Sequence, residues 1–224
     1  MKITFLGTGA ADWNGKFSEK SENRFYSSAL IDGVLLIDPG PHIFISSEIH
    51  GIDLSNVKYV INTHSHSDHF CIESLRKLEK SGAEFIPFLE NETREFGGYR
   101  VSSFRANHGT CTDAVHFLIC DGKKSLYYAL DGAWLMYDEI EALKKGTDAI
   151  VLDCTVGEQK GDYRIFEHNN IRMVNEMKET MKPYVKKFMA SHFAKTLHKD
   201  RKVLEKALSS FGIKAAYDGL TEDI

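Results

Sequence analysis

The chain lacks the features that mark membrane-spanning, disulfide-stabilised or strongly basic proteins. No apolar run approaches the roughly 20 residues that a transmembrane helix needs. The four cysteines are scattered and never form a Cys-x-x-Cys pair, so neither a disulfide framework nor a cysteine-based structural zinc site is indicated. A formal net charge of −4 argues against a generally basic surface for nucleic acid. The sequence therefore predicts a cytoplasmic globular protein with reduced thiols.

The first residues are typical of a β-strand rather than of a secretory signal. They lack a long apolar segment and a small-residue cleavage site. The chain has 224 residues, of which 42% are apolar, which is enough to bury a substantial core. We expect residues 1–224 to form one domain of the larger α/β kind, without membrane contact.

Strands and helices alternate after a β-rich beginning. Asp32-Gly33 between two apolar runs predicts a hairpin, and Asp38-Pro39-Gly40-Pro41 is expected to break the sheet. The polar segment 7–24 is either a functional loop or an ordinary surface loop. Period-two runs predict strands at 2–6, 25–31, 34–37, 84–88, 100–106, 114–120, 125–130, 148–152, 187–191 and 213–217. Helical spacing predicts helices near 42–50, 72–82, 136–143, 171–181 and 197–211.

The densest group of potential metal ligands follows the apolar run that ends at Ile61. Three histidines and one aspartate, His64, His66, Asp68 and His69, lie within six residues. Imidazole nitrogen and carboxylate oxygen are ligands that Zn²⁺ accepts. In an extended segment, residues two apart point the same way, so His64 and His66 can share one ion. If the chain turns at Asp68, that residue and His69 can reach a second ion.

The pattern His-x-His-x-Asp-His after a strand resembles the signature of the metallo-β-lactamase superfamily, whose members are mostly metal-dependent hydrolases. The resemblance extends along the chain through a Gly7-Thr8-Gly9 turn, an isolated downstream histidine, an aspartate that ends a strand, and a late histidine. It implies an α/β fold in the form of a four-layer αββα sandwich, in which two packed sheets carry all ligands on loops at one edge.

The same resemblance implies a ligand for each position of a dinuclear site. It gives the first metal His64, His66 and His108, gives the second Asp68, His69 and His192, and places Asp131 as a bridge. We expect two divalent cations, with Zn²⁺ favoured by ligand type and Mn²⁺ or Fe²⁺ also compatible with mixed histidine and carboxylate ligands.

Four other histidines match no ligand position of the superfamily. His198 lies six residues after His192, so on a helix the two would not share a face, and we expect His198 at the surface. The others, His42, His50 and His116, are interpreted as ordinary loop, helix and strand residues.

His168 discriminates between branches of the superfamily. It lies between Asp131 and His192 and precedes a predicted helix. The branch that contains tRNA 3′-processing endonuclease and the cyclic phosphodiesterase of the phosphonate pathway carries an extra histidine in this interval. The resemblance implies that His168 is a general acid. It also implies that Asp68 both binds metal and orients a metal-bridging hydroxide.

These residues predict a phosphodiesterase that acts on a small or cyclic phosphodiester. No segment resembles the protruding insertion with which the tRNA-processing enzymes grip tRNA, so a nucleic-acid partner is less favoured than a small molecule. A lactonase or thioesterase of the same fold is the main alternative, followed by a tRNA 3′-processing endonuclease. A non-catalytic metal-stabilised binding module is disfavoured because no ligand is lost, and a homodimer is left open.

Overall fold

The computed structural model describes residues 1–13, 23–198 and 201–224. Half of the predicted 7–24 loop, at 14–22, lies outside the described residues. The described chain forms two β-sheets, one of six strands and one of seven. Helices α1 to α5 are Ile43–His50, Ile72–Lys80, Tyr137–Leu143, Ile171–Met181 and Arg201–Ser210.

The first sheet comes mainly from the N-terminal part of the chain. Its strands are β1 (Lys2–Gly7), β2 (Ser28–Ile31), β3 (Leu35–Ile37), β4 (Tyr59–Ile61), β5 (Glu84–Phe85) and β13 (Thr221–Asp223). They lie in the order β13-β1-β2-β3-β4-β5. Pairing is antiparallel from β13 to β3 and parallel from β3 to β5. The turn at Asp32-Gly33 joins β2 and β3 with positive φ at both residues, as an Asp-Gly hairpin requires.

The second sheet follows the chain order from one edge to the other. Its strands are β6 (Thr93–Phe96), β7 (Tyr99–Arg105), β8 (Val115–Cys120), β9 (Ser125–Ala129), β10 (Thr147–Asp153), β11 (Val185–Ser191) and β12 (Lys214–Ala215). Neighbours from β6 to β9 are antiparallel, and those from β9 to β12 are parallel. The parallel half therefore directs several strand ends to the same edge.

Three apolar clusters hold the layers together. The cluster between the sheets includes Phe5, Phe117, Tyr128 and Met189, all fully buried. A second cluster packs α4 and α5 on the outer face of the second sheet, and a third packs α1 and α2 on the first sheet. This arrangement of helix, sheet, sheet and helix confirms the predicted αββα sandwich.

The main differences from the sequence-based prediction are at the edges. Strands β6 and β13 were not predicted, because segments such as Thr221-Glu222-Asp223 are polar and carry no apolar alternation. Helix α5 begins at Arg201 and ends at Ser210, so Leu197 and Phe211 flank it. None of the helices in the described residues is both long and apolar enough to cross a membrane.

Candidate metal centre

The predicted ligands meet where strands of both sheets end. The segment His64–His69 follows β4, His108 follows β7, Asp131 follows β9, and His192 directly follows β11. All of these side chains are buried except His66, which is half-buried. Seven residues from four separate parts of the sequence are therefore collected at one edge of the sandwich.

Three histidines form a first cluster. The ligand atoms of His64, His66 and His108 lie within 4.8 Å of one another. His66 Nδ1 is 3.3 Å from His108 Nε2, and His64 Nε2 has no hydrogen-bond partner. The structure thus brings together the three residues assigned to the first metal, and their role as ligands stays a prediction.

A second cluster lies beside the first. Ligand atoms of Asp68, His69 and His192 are also within 4.8 Å of one another. His69 Nε2 lies 3.2 Å from His192 Nε2 and 3.5 Å from Asp68 Oδ2. The predicted second set is therefore also assembled.

Asp131 lies between the two clusters. Its Oδ2 is 2.8 Å from His69 Nε2 and 3.1 Å from His192 Nε2. Its carboxylate also groups with His64 and His69 within ligand distance. The carboxylate of Asp131 is thus close to ligands of both predicted metals, which is the arrangement that a bridging role needs.

The contacts between imidazole nitrogens indicate what the site is built to hold. His69 Nε2 and His192 Nε2 face each other at 3.2 Å, and a neutral nitrogen pair can form a hydrogen bond only if one member carries the proton. A cation satisfies both lone pairs at once. Neighbouring tetrahedral ligands of Zn²⁺ lie about 3.4 Å apart, which fits this spacing. The donor set therefore fits divalent metal.

Two buried carboxylates outside the ligand set orient the histidines. His69 Nδ1 donates to Asp38 Oδ2 at 2.8 Å, and His192 Nδ1 lies 3.2 Å from Asp153 Oδ2. Thr155 Oγ1 adds a 2.7 Å contact to His192 Nδ1. Fixing Nδ1 in this way turns Nε2 towards the centre.

Sequence reasoning missed both Asp38 and Asp153. Asp38 was interpreted only as part of a sheet break, and Asp153 was given no role. Each follows or ends a buried apolar strand, β3 or β10, as Asp131 follows β9. That shared position was the available signal.

The backbone is unusual at three of these strand ends. Asp38, Asp131 and His192 have φ values of 62°, 56° and 61°. A residue other than glycine in this left-handed region costs roughly 1–3 kcal/mol and persists only when its surroundings impose it. Each of these residues belongs to the ligand cluster or contacts it, so the backbone strain occurs at residues of the candidate metal centre.

Burial and opposite charges shift the pKa values of the cluster in different directions. Burial, assisted by His69, lowers the pKa of His64 to about 2, so this ring is neutral and ready to bind metal. Burial opposes charge on Asp131, but His192 and His69 outweigh it and hold the carboxyl pKa well below its usual value. The pKa of His69 is raised well above normal because Asp131, Asp68 and Asp38 outweigh burial. Metal binding must therefore release protons from the imidazoles.

His168 lies beside the clusters and has its own carboxylate partner. Its Nδ1 is 2.9 Å from Asp153 Oδ2 and 3.9 Å from Asp131 Oδ1. The ring stacks on that of His192 at 5.5 Å between centroids. Burial lowers its pKa, but Asp153 outweighs burial and the net pKa is raised, favouring the protonated form. Nε2 has no hydrogen-bond partner among the described residues.

Asn169 ties this histidine to the loop that carries Asp131. Its backbone N–H donates to Asp153 Oδ1 at 2.9 Å. Its side chain donates to Gly132 O at 2.7 Å and accepts from Trp134 N at 2.8 Å. Hydrogen bonds through Asn169 therefore connect the segment that carries His168 to the loop that carries Asp131.

The other histidines make contacts of a different kind. His198 was expected at the surface, and this is wrong: it is half-buried, and Nε2 donates to the carbonyls of Cys154 and Thr155, each 3.1 Å away. His116 lies on β8, as a strand residue should. The remaining two, His42 and His50, lie at the N-cap and in the last turn of α1.

Comparison with known proteins agrees with this fold. Residues 23–71 match the family model described as the metallo-beta-lactamase superfamily. No curated protein matches the chain in sequence. Zn²⁺-bound PqqB from Methylobacterium extorquens is 17% identical over 100% of both chains, with a TM-score of 0.75.

Two further solved structures are similar over nearly their full length. A diphosphatase from the PhnP family is 20% identical, covering 100% of this chain and 97% of its own, with a TM-score of 0.73. The short form of human tRNase Z is 17% identical, covering 100% and 99%, with a TM-score of 0.73.

The chain therefore has the metallo-β-lactamase fold, and its resemblance to the superfamily is confirmed. The family match and the histidine–aspartate cluster together support a metal-dependent hydrolase.

Proposed function

We propose that this protein is a dinuclear metal-dependent phosphodiesterase that hydrolyses a small or cyclic phosphodiester, with His168 as the general acid. The observation that carries the proposal is the 2.9 Å contact between His168 Nδ1 and Asp153, which engages one nitrogen and leaves Nε2, beside the ligand clusters, without a hydrogen-bond partner among the described residues.

In this proposal, His64, His66 and His108 hold one ion, and Asp68, His69 and His192 hold the other. Asp131 contributes to both. Two divalent cations bound here would neutralise phosphoryl charge and lower the pKa of a water molecule. The mixed ligands favour Zn²⁺ and also admit Mn²⁺ or Fe²⁺.

The protein's own groups then supply orientation and a proton. Asp153 accepts a hydrogen bond from His168 Nδ1, so Nε2 is the nitrogen that presents a proton to substrate. The raised pKa of His168, caused by Asp153 against the effect of burial, keeps that proton available near neutral pH. When the P–O bond breaks, the departing alkoxide takes the proton. Asp68 orients the attacking water.

This arrangement favours a phosphodiester over a thioester. A thiolate leaves readily without protonation, whereas an alkoxide leaving phosphorus gains from a general acid. A small substrate is favoured over tRNA, because residues 154–170 contain only a loop and one short 3₁₀ turn. The net charge of −4 also favours a small substrate, because a negatively charged protein is repelled by the phosphates of tRNA.

A panel of substrates tests the assignment. The metal-loaded protein should hydrolyse bis-p-nitrophenyl phosphate with kcat/KM at least about ten times that on any lactone or thioester of similar size. His168→Ala is the matched control for metal loading, because its metal content should stay unchanged while the proposed general acid is removed. A preference for lactones or thioesters would overturn the proposal and support the alternative hydrolase class.

A further inference from the structure

Two aromatic side chains project into solvent beside His168. Tyr163 and Phe166 begin and end the 3₁₀ turn Tyr163–Phe166, and they are 79% and 75% exposed. Single exposed aromatics are ordinary on protein surfaces. Side chains three residues apart on a 3₁₀ turn lie on the same side of it, so Tyr163 and Phe166 present their rings together just before the proposed general acid in the chain.

The turn that carries these rings is held rigidly. The Asp162 side chain caps it by accepting from Arg164 N at 2.9 Å. The same carboxylate accepts from Arg164 Nε at 2.8 Å and Nη2 at 2.7 Å. A fixed backbone lowers the entropy cost of using the two exposed rings for binding.

The turn is also joined directly to the proposed general acid. His168 N donates to Arg164 O at 2.7 Å. Glu167 accepts from Thr110 Oγ1 at 3.0 Å, which links the turn to the loop after His108. Phe166 is two residues from His168, so their Cα atoms are at most about 7 Å apart. One short segment of backbone therefore carries both the exposed rings and the proposed general acid.

We infer that Tyr163 and Phe166 bind a planar aromatic ring on the alcohol that leaves. This inference rests on the proposed function, because His168 must lie next to the leaving oxygen in order to protonate it. In the reaction, water adds to phosphorus, the P–O bond to that alcohol breaks, and the alcohol oxygen takes the proton from His168. The ring is therefore on the leaving-group side. Nucleosides and aryl alcohols both carry such a ring.

Matched substrates distinguish the two sources of the ring. The methyl ester of adenosine 5′-monophosphate is compared with the methyl ester of ribose 5-phosphate, which carries a hydroxyl group in place of the base. Benzyl methyl phosphate is compared with ethyl methyl phosphate in the same way. In the metal-loaded wild-type protein, kcat/KM should be roughly ten-fold higher for the ring-bearing member of at least one pair. The preferred pair identifies the alcohol.

Substitution of Tyr163 and Phe166 tests whether their rings cause the preference for ring-bearing esters. The double variant Tyr163→Ala, Phe166→Ala should lose this preference mainly through KM, while activity on the ring-free esters stays within about two-fold. Tyr184→Ala is the control, because Tyr184 is 38% exposed just before β11, at the end of that strand opposite His192. Equal losses on ring-bearing and ring-free esters, or no preference in the wild type, would overturn the inference.

A binding measurement separates this inference from the proposed function. Calorimetry should show about ten-fold weaker binding of adenosine 5′-monophosphate or benzyl phosphate to the double variant, with inorganic phosphate unaffected. This result does not depend on turnover. Ring-dependent binding without hydrolysis of any diester would refute the phosphodiesterase proposal, whereas hydrolysis without ring-dependent binding would refute only the role of the two rings.

Discussion

Two buried regions of this molecule contain similar residue types, yet only one has the character of a metal centre. The second region joins His116, Tyr127 and Glu139. Glu139 Oε1 accepts from His116 Nδ1 at 2.5 Å and from Tyr127 Oη at 2.8 Å, while Oε2 accepts from Met136 N. Each hydrogen bond pairs a donor with an acceptor, and the cluster joins β8, β9 and α3.

The candidate metal centre has the opposite pattern. There, nitrogens face nitrogens at 3.2 and 3.3 Å, and three residues at strand ends have left-handed backbone. In the other cluster, His116 lies in regular pairing with Phe104, and its one unpartnered nitrogen packs against Gly132. Histidine and carboxylate content therefore does not distinguish the regions. The regions are distinguished by imidazole nitrogens that converge on one another, with the Asp131 carboxylate between them.

The largest effect should follow from removing the carboxylate between the two ligand clusters. The wild-type protein should contain close to two transition-metal ions per chain after reconstitution. Asp131→Ala should lose metal together with activity, by on the order of 10³-fold or more, because Asp131 is the carboxylate that lies between the two ligand clusters. Elemental analysis and hydrolysis rates measure both quantities.

The control for this variant is Glu139→Gln in the other cluster. It should retain its metal, since Glu139 belongs to none of the potential ligand groups among the described residues. Wild-type protein with one ion or none would refute the dinuclear assignment. Equal metal loss in both variants would refute the contrast between the regions.

A smaller effect is expected when His168 is changed. His168→Ala should slow hydrolysis of alkyl or nucleotide diesters by roughly 10²–10⁴-fold, the usual contribution of a general acid. The loss on p-nitrophenyl diesters should be mild, because p-nitrophenolate needs little protonation. Metal content should remain, because other residues hold the ions. Equal losses on both substrate types, or loss of metal, would show that His168 does not act as the acid.

The cluster of residues that the fold assembles could be predicted because part of its signal is local and dense. His64, His66, Asp68 and His69 occupy six residues, and the resemblance to a known superfamily supplied the distant members. Asp38 and Asp153 had no such pattern. A lone aspartate after an apolar strand is equally typical of a turn, and only the assembled fold shows that these carboxylates contact His69 and His192.

The fold was predictable for a similar reason, and the failures had a physical cause. Strands β1 to β3 and β7 to β11 have apolar faces that must be buried, so their pattern identifies them. Edge strand β13 is specified by its pairing with β1 rather than by its own residues. His198 was misplaced because its carbonyl partners come from a loop more than 40 residues away in sequence.

The His116–Glu139–Tyr127 cluster should affect folding stability and leave catalysis intact. Glu139→Ala would leave His116 Nδ1 and Tyr127 Oη buried without a partner, which should lower the free energy of unfolding by about 2–4 kcal/mol. Denaturant titration with an unchanged m-value would measure this loss. Activity per folded molecule should stay within about two-fold.

The matched control lies on the same helix. Glu141→Ala removes an exposed pair with Lys144, 2.8 Å apart, and such surface pairs contribute only about 0–1 kcal/mol. Similar destabilisation by the two substitutions would show that the buried cluster has no special structural role. Loss of metal on changing Glu139 would instead connect it to the candidate metal centre.

The smallest predicted effect concerns His198 and acid. Burial lowers the pKa of His198 to about 4, against about 6.5 in an unfolded chain. As pH falls, the unfolded state therefore takes up the proton first. The stabilisation that comes from keeping the His198 ring neutral is complete above about pH 6.5 and is lost progressively between about pH 6.5 and 4.

His198→Gln keeps a side-chain N–H for the carbonyls of Cys154 and Thr155 but cannot titrate. Between pH 7.5 and 5, the wild-type protein should lose on the order of 1–2 kcal/mol more stability than this variant. Both proteins are compared without metal, so that ionisations of the ligand cluster contribute equally and cancel in the difference. Parallel stability profiles would show that His198 does not contribute to acid sensitivity.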